Sequence, residues 1–453
     1  MKRVLLVGLA CLHLAACFYR PGDTYACNST VDCLPLGFTF ACLENQCVDS
    51  DDLGEGAASS GGSSGRSSSS NSGGGSTSSS SGSSYSRPDV TACTGECSSG
   101  GCPVKLEAGS DFICALMRDT TLRCWGGSDA RRLGRPADGD VAQSTPGPVL
   151  DRDGGPLTNV VSMSLGEQHA CAVLDGGNAY CWGANYAGQL GPLDGGVSDS
   201  KRAIKVNLSG VRGVAAGYVH TCFLLPTETR CYGSNNYGQT GNNGVVPTSF
   251  TTLVSGDFTV YGLFGDGTAQ GWGNNDSSQL TAAPNVFAYS ADPHVLNVSG
   301  VTSLAANASN ACVVTQGEQA LCWGDTQFDV TGWNDHNEFE PNPVESAAGG
   351  ALGSVRKVAL GSVHACAILT DGSVWCWGAS SANQRGEFYD DTQAWMAMQS
   401  NTLGSNRDLA AGDRFTCTLN DCGQVHCWGE NDYGQLGTPD GGTSKTAVRV
   451  NFP

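Results

Sequence analysis

The chain of 453 residues is strongly acidic, with a formal net charge of −19, and holds 22 cysteines. That charge excludes nucleic acid and chromatin as partners, because binding a phosphate backbone requires clustered cations. So many cysteines point to an oxidising compartment, where disulfides persist.

In chain order, Lys2 and Arg3 precede an apolar run over residues 4–12 and then Leu14-Ala15-Ala16-Cys17. A positive start, a short apolar core and small residues before a cut read as a secretory signal over 1–16, too short to span a bilayer stably. Leu-Ala-Ala-Cys resembles the bacterial lipobox, which implies that Cys17 is lipidated and becomes the mature N-terminus. Phe18 in place of Asp after that cysteine implies delivery to the outer membrane. Residues 17–53 then form a lipid-anchored segment with Cys27, Cys33, Cys42 and Cys47, most simply two disulfides with three possible connectivities.

Residues 54–88 are nearly all Ser and Gly and cannot bury enough apolar surface to fold. They read as a disordered tether with a reach of roughly 30–35 Å. A lead-in over 89–103 carries Cys93, Cys97 and Cys102, and from residue 104 one unit recurs to the C-terminus. Its clearest copy is His169 onward, HACAVLDGGNAYCWGANYAGQLG. Strands are predicted over 169–174 and 178–182, joined by Asp175-Gly176-Gly177, where glycine supplies positive φ. With the apex at Gly176, Cys171 faces Cys181, and Ala170 and Ala172 face Trp182 and Tyr180. Facing Cα atoms in an antiparallel pair lie about 4.5–5.5 Å apart, within a disulfide's range.

The same offset recurs at Cys114/Cys124, Cys222/Cys231, Cys312/Cys322, Cys366/Cys376 and Cys417/Cys427, while one copy replaces both cysteines together, with Tyr261 and Gly271. Joint loss argues for bridges rather than independent thiols. Each bridge closes a loop of about ten residues and contributes roughly 2–3 kcal/mol. Cys422, at the turn of the last hairpin, is expected to bridge into the 93–102 stretch. Zinc is the rival use of these leftover cysteines, disfavoured by export and by the lack of a nearby histidine.

Seven copies with a period near 51 residues and several short strands each read as an all-β fold, a seven-bladed β-propeller over 104–453. The repeat is expected to begin with an outer strand such as Thr145-Pro146-Gly147-Pro148-Val149-Leu150. The first copy lacks one, so the C-terminal strand 446–451 is expected to close the ring by pairing with blade one. Gly-x-x-His-x-Cys, Cys-Trp-Gly-x-Asn and Gly-Gln-Leu-Gly resemble the repeat of the regulator of chromosome condensation family. The resemblance covers about three quarters of the chain and implies the seven-bladed propeller. It implies no single activity, since that family includes a nucleotide exchange factor, a plant photoreceptor and secreted β-lactamase inhibitors.

The histidines His169, His220 and His364 share a repeat position with Phe112 and Phe415, which marks packing rather than catalysis. The recurrent tryptophans, such as Trp125 and Trp182, read as core. Asp151-Arg152-Asp153-Gly154 falls short of a calcium loop. No catalytic residues, metal ligands or cofactor are assigned. The stretch EFYDDTQAWMAM, residues 387–398, places Phe388, Tyr389, Trp395 and Met396 among polar residues as candidate partner-binding side chains. The whole reads as an exported, non-catalytic recognition module of the bacterial cell envelope, at the outer membrane or cell surface, with a monomeric head and an unidentified protein partner. An enzyme inhibitor or a glycan-binding adhesin is the alternative. A guanine-nucleotide exchange role is the least favoured, since it would need a cytosolic GTPase.

Overall fold

A computed structural model describes residues 101–136, 142–193, 198–247, 249–281, 286–333, 339–386, 395–400 and 405–453, and three N-terminal strands as backbone. The chain divides into two units, Met1–Ser84 and Tyr85–Pro453. In the first, the strands Tyr25–Ala26, Phe40–Leu43 and Gln46–Asp49 form one antiparallel sheet with the last in the middle, and its register sets Cys42 opposite Cys47.

The second unit is a seven-bladed β-propeller, each blade a four-stranded antiparallel sheet contiguous in sequence. Blade one runs outward from Pro103–Ala108 through Phe112–Met117 and Leu122–Gly126 to Gln143–Pro148. The innermost strands of blades two and seven are Val160–Leu165 and Asn406–Ala411. Prolines 146 and 148 sit on the blade's outer edge strand, where a missing N–H costs no ladder bond.

Two sequence expectations are corrected here. The C-terminal strand is Thr443–Arg449, and it pairs with Val425–Glu430 as the outer strand of blade seven, not with blade one. Blade one owns its outer strand, so each outer strand ends a blade rather than beginning the next repeat. Only the tail beyond the strand reaches across: Val450 packs in a cluster with Leu106 and Ile113, and Phe452 meets the Trp125 ring edge-on at 5.6 Å.

Strand exchange is unnecessary because the seam between blades seven and one is built like the other joints. The indole N–H of each blade tryptophan donates to a backbone carbonyl in the preceding blade's turn, at the repeat position of Gly-Gln-Leu-Gly. Trp182 donates to Arg132 O at 2.8 Å, Trp323 to Gln279 O at 2.9 Å and Trp428 to Gln384 O at 2.8 Å. Across the seam Trp125 donates to Gln435 O at 3.0 Å in the same way. The turns are held by their own side chains. Asn185 Oδ1 accepts Leu190 N–H at 2.9 Å, and Gln189 Oε1 accepts Ala187 N–H at 2.9 Å. The motif therefore fixes the carbonyl that the next tryptophan reads.

Cys171 faces Cys181 and Trp182 faces Ala170 in the register of blade two. Six disulfides join Cys114–Cys124, Cys171–Cys181, Cys222–Cys231, Cys312–Cys322, Cys366–Cys376 and Cys417–Cys427, with Cα atoms 4.0–4.1 Å apart. Blade four fills the equivalent space differently. Tyr261 opposes Gly271, a Cβ on Gly271 would stand 3.0 Å from the tyrosine ring, and the Tyr261 hydroxyl donates to Gln279 O at 2.9 Å. A large and a vanishing side chain replace two half-cystines as a pair.

At the axis each innermost strand ends on a glycine pressed against the next blade. A Cβ on Gly166 would lie 2.2 Å from Gly217 O, one on Gly256 2.1 Å from Asn307 O, and one on Gly361 2.2 Å from Gly412 O. Blade five carries Asn307 there instead, and its amide donates to Gly361 O at 2.7 Å. Gly256→Ala should therefore lower stability by about 1–3 kcal/mol or more, since the obstacle is backbone. The solvent-facing Gly353→Ala, with nothing within 4 Å, should leave it nearly unchanged. Denaturant melts of the two variants beside the parent check this, and equal midpoints would remove the glycine ring from the account of stability.

Candidate functional site

The seven innermost strands line a central channel of about 400 Å3. Alternation of strand direction puts the first-to-second and third-to-fourth strand connections of every blade on one face, and the tight hairpin turns on the other. The first of these faces carries the channel mouth just past the ring glycines. The residue after each ring glycine, or the next one on, is free of the packing that dictates the glycine itself. In blades two, four and seven that residue is Glu167, Asp257 and Asp413. In blade one, Asp111 lies one position later.

These carboxyls face one another across the mouth. Burial, then Asp413 and Asp257, push the Glu167 carboxyl up to about 7. Burial and then Asp413 push Asp257 up to about 6. Burial also raises Asp111, although Arg132 pulls the other way. Arg132 is itself buried, 2.8 Å from the Asp111 carboxylate and donating to Glu167 O at 2.9 Å, with its guanidinium over the Phe112 ring. It occupies the glutamine position of blade one's turn, so one substitution turns a turn-holding residue into a counter-ion.

Deeper in the channel wall the charges are paired. Lys357 of blade six forms an ion pair with Asp408 of blade seven, whose other oxygen accepts the Leu106 N–H of blade one at 2.7 Å. Burial works against the Lys357 ammonium, but Asp408 and Glu107 outweigh it and raise its pKa. One carboxylate thus ties three blades together.

Rings surround the mouth on the side of blades two to four. Tyr218 and Phe258 lie 5.4 Å apart between centroids, Phe258 and Tyr237 5.2 Å, and Tyr218 N–H donates to Asp257 O at 3.0 Å. Tyr186 is 64% exposed beside them, and after burial the neighbouring Tyr218 and Glu167 raise its hydroxyl. Sequence reading missed this cluster. Its members fall at different repeat positions in different blades, and only the ring geometry brings them together.

The residues singled out from sequence fall elsewhere. Trp395 and Met396 are half-buried where the chain enters the outer strand Met398–Gln399 of blade six, while Phe388 and Tyr389 lie outside the described residues. Cys17, Cys27, Cys33, Cys93 and Cys97 also lie outside them, and Cys42 and Cys47 are described by backbone alone. Cys102 and Cys422 are both disulfide-bonded. The repeat histidines are buried and bond across joints: His169 Nε2 lies 2.7 Å from Thr221 Oγ1, His220 Nε2 2.9 Å from Ser255 Oγ and His364 Nε2 2.8 Å from Thr416 Oγ1. Burial lowers the first to about 4 and the other two to about 3, so they are neutral joint-fasteners at pH 7. The Asp151 carboxylate accepts the N–H groups of Gly154 and Gly155, each at 2.9 Å, and serves a turn. No cluster of three or more metal-ligating side chains occurs among the described residues.

The mouth makes stability depend on pH in a definite direction. Glu167 binds its proton more tightly in the folded state than in the unfolded chain, so the stability it contributes is present at low pH and is lost as pH rises through about 7. Glu167→Gln should raise the melting temperature at pH 8 and leave it unchanged at pH 4.5. Scanning calorimetry at both values tests this, and an equal shift at both would mean that Glu167 is not held protonated by its surroundings.

Family models for the regulator of chromosome condensation (RCC1) repeat match residues 160–189, 355–384, 407–435 and 422–453. The Ultraviolet-B receptor UVR8 of Arabidopsis thaliana is 26% identical over 331 residues, 67% of this chain and 73% of the receptor. The E3 ubiquitin-protein ligase HERC2 of Homo sapiens is 25% identical over 63% of the chain, which spans only 6% of the ligase. Protein pim1 of Schizosaccharomyces pombe is 24% identical over 67% of the chain, which spans 52% of that protein. Among solved structures, human WBSCR16 superposes with a TM-score of 0.63 at 19% identity, covering 73% of this chain and 94% of that one. Prp20p of Saccharomyces cerevisiae does so with 0.63 at 19% identity, covering 78% and 88%. Joint architecture, motif and relatives agree: the chain carries regulator of chromosome condensation repeats, folded as a seven-bladed propeller.

Proposed function

We propose that the chain is an exported, lipid-anchored recognition module of the bacterial cell envelope, in which the propeller is a non-catalytic head that binds a protein partner. The observation that carries the recognition reading is the open face around the channel mouth, where exposed and half-buried rings stand beside carboxylates on a frame stitched at every joint. Rigid blades with variable loops are suited to binding, because partner contact then orders little of the head. Relatives support a protein as partner. Prp20p is described with its binding to Gsp1p and histones, and the acidity of this chain favours a basic protein surface over any nucleic acid.

The anchoring half of the reading rests on the sequence. Lys2-Arg3, the apolar run and Leu14-Ala15-Ala16-Cys17 support a signal over 1–16 with Cys17 as the lipidated residue, and 54–88 supports a tether ahead of the head. Six buried bridges suit the oxidising side of a membrane. No helix of the described residues is long and apolar enough to cross a bilayer. Expressed in a diderm bacterium, the full chain should fractionate with the outer membrane, and mass spectrometry should find acyl chains on Cys17. Cys17→Ala should abolish the acylation and the processing at residue 16. An unmodified Cys17 in the parent chain would overturn the anchor.

A further inference from the structure

Above about pH 7, Glu167, Asp257 and Asp413 leave the channel mouth with negative charge that no ion pair of theirs neutralises among the described residues. Arg132 answers Asp111 and Arg414 answers Glu430 at 3.0 Å, whereas no ion pair reaches Asp257 or Asp413 among the described residues. The half-buried Asp257 carboxyl lines the channel and accepts no hydrogen bond from any described residue. A half-buried carboxylate with no protein donor is left for a ligand that brings its own N–H groups. Beside it the Tyr218, Phe258 and Tyr237 rings form a continuous aromatic wall.

The two features together select the ligand chemistry. Carboxylates repel an anion. Aromatic faces do not ligate a metal ion, and the carboxyls do not converge in a group of three within coordinating reach. A guanidinium or ammonium satisfies both features, because the rings attract a cation through their π faces and the carboxylates accept its N–H groups. The channel is narrow at about 400 Å3, while the rings lie outside it on the open face, Tyr186 among the most exposed. An occupant that covers the rings and also places one cation in the mouth is a side chain on a longer chain.

We propose that the mouth takes an arginine or lysine side chain presented by an exposed basic segment of a protein partner, stacked on Tyr218 and Phe258 with its cation among Glu167, Asp257 and Asp413. This rests on the recognition reading above and names the chemistry of the partner.

The test uses the purified full chain and a fluorescein-labelled hexa-arginine peptide, followed by fluorescence anisotropy, with hexaglutamate as the control of sign. Saturable binding of hexa-arginine alone is expected. Glu167→Gln with Asp257→Asn should weaken it at least tenfold, and Tyr218→Ala about fivefold. Asp266→Asn with Glu318→Gln removes the same charge from hairpin turns on the opposite face and should change affinity less than twofold. Glu167→Gln and Asp257→Asn remove carboxyls that burial disfavours in their charged form, the control pair lies in hairpin turns, and a circular-dichroism melt checks that both chains stay folded. Absence of saturable binding, or equal loss in the two charge-matched pairs, would overturn the site. Full displacement of the peptide by free arginine or spermidine at concentrations equal to the peptide's would overturn a chain-borne occupant in favour of a small cation. A captured partner that the Glu167→Gln/Asp257→Asn chain retains undiminished would also overturn this site and leave the recognition reading standing.

Discussion

The contact between a ring glycine and the next blade's carbonyl governs the rest of this propeller. Seven sheets approach a common axis this closely because six of the seven ring positions, all but Asn307, carry no Cβ. At Gly166, Gly256 and Gly361 the space a methyl group would need is already filled by backbone oxygen. Where blade five departs, Asn307 turns the same carbonyl, that of Gly361, into a hydrogen-bond acceptor. The ring thus sets the radius of the channel, and the radius decides which side chains can face one another across it. Glu167, Asp257 and Asp413 interact because of that spacing and not because of proximity in sequence.

Around this axis the joints repeat a small vocabulary. An indole N–H reads a turn carbonyl, and a neutral histidine reads a hydroxyl of the following blade. Within each blade a bridge or its substitute locks the second strand to the third. These are local closures of about ten residues, and they stiffen single blades without tying one blade to another. Cohesion between blades therefore falls to the axis and to the tryptophan joints. The seam between blades seven and one uses the same contacts, with Asp408 and Phe452 added.

The mouth shows what such a frame leaves free. The position after the ring glycine contributes little to packing, so it can hold Glu167, Tyr218, Asp257, Ser362 or Asp413 without disturbing the blade beneath. In this chain acids and rings collect on one face, and the buried Arg132 beside them is paired with Asp111. The result is an electrostatic preference built on a scaffold that is otherwise shared with relatives of quite different activities.

The sequence alone determined the blade number, the facing of Cys171 and Cys181, and the structural standing of the histidines and tryptophans, because these follow from recurrence and from the two-residue period of a strand. Periodicity has no origin, however, and the same repeat can be cut before or after its outer strand. Which blade owns Thr443–Arg449 was therefore decided only in the folded ring, where the pairing to Val425–Glu430 is satisfied locally. The candidate site shows the same division. A run of aromatics in one loop, Phe388 to Met396, is visible to a linear reading. Tyr186, Tyr218, Tyr237 and Phe258 come from blades two, three and four, and Glu167, Asp257 and Asp413 from blades two, four and seven. Only closure about the axis makes neighbours of residues some twenty to two hundred and fifty positions apart.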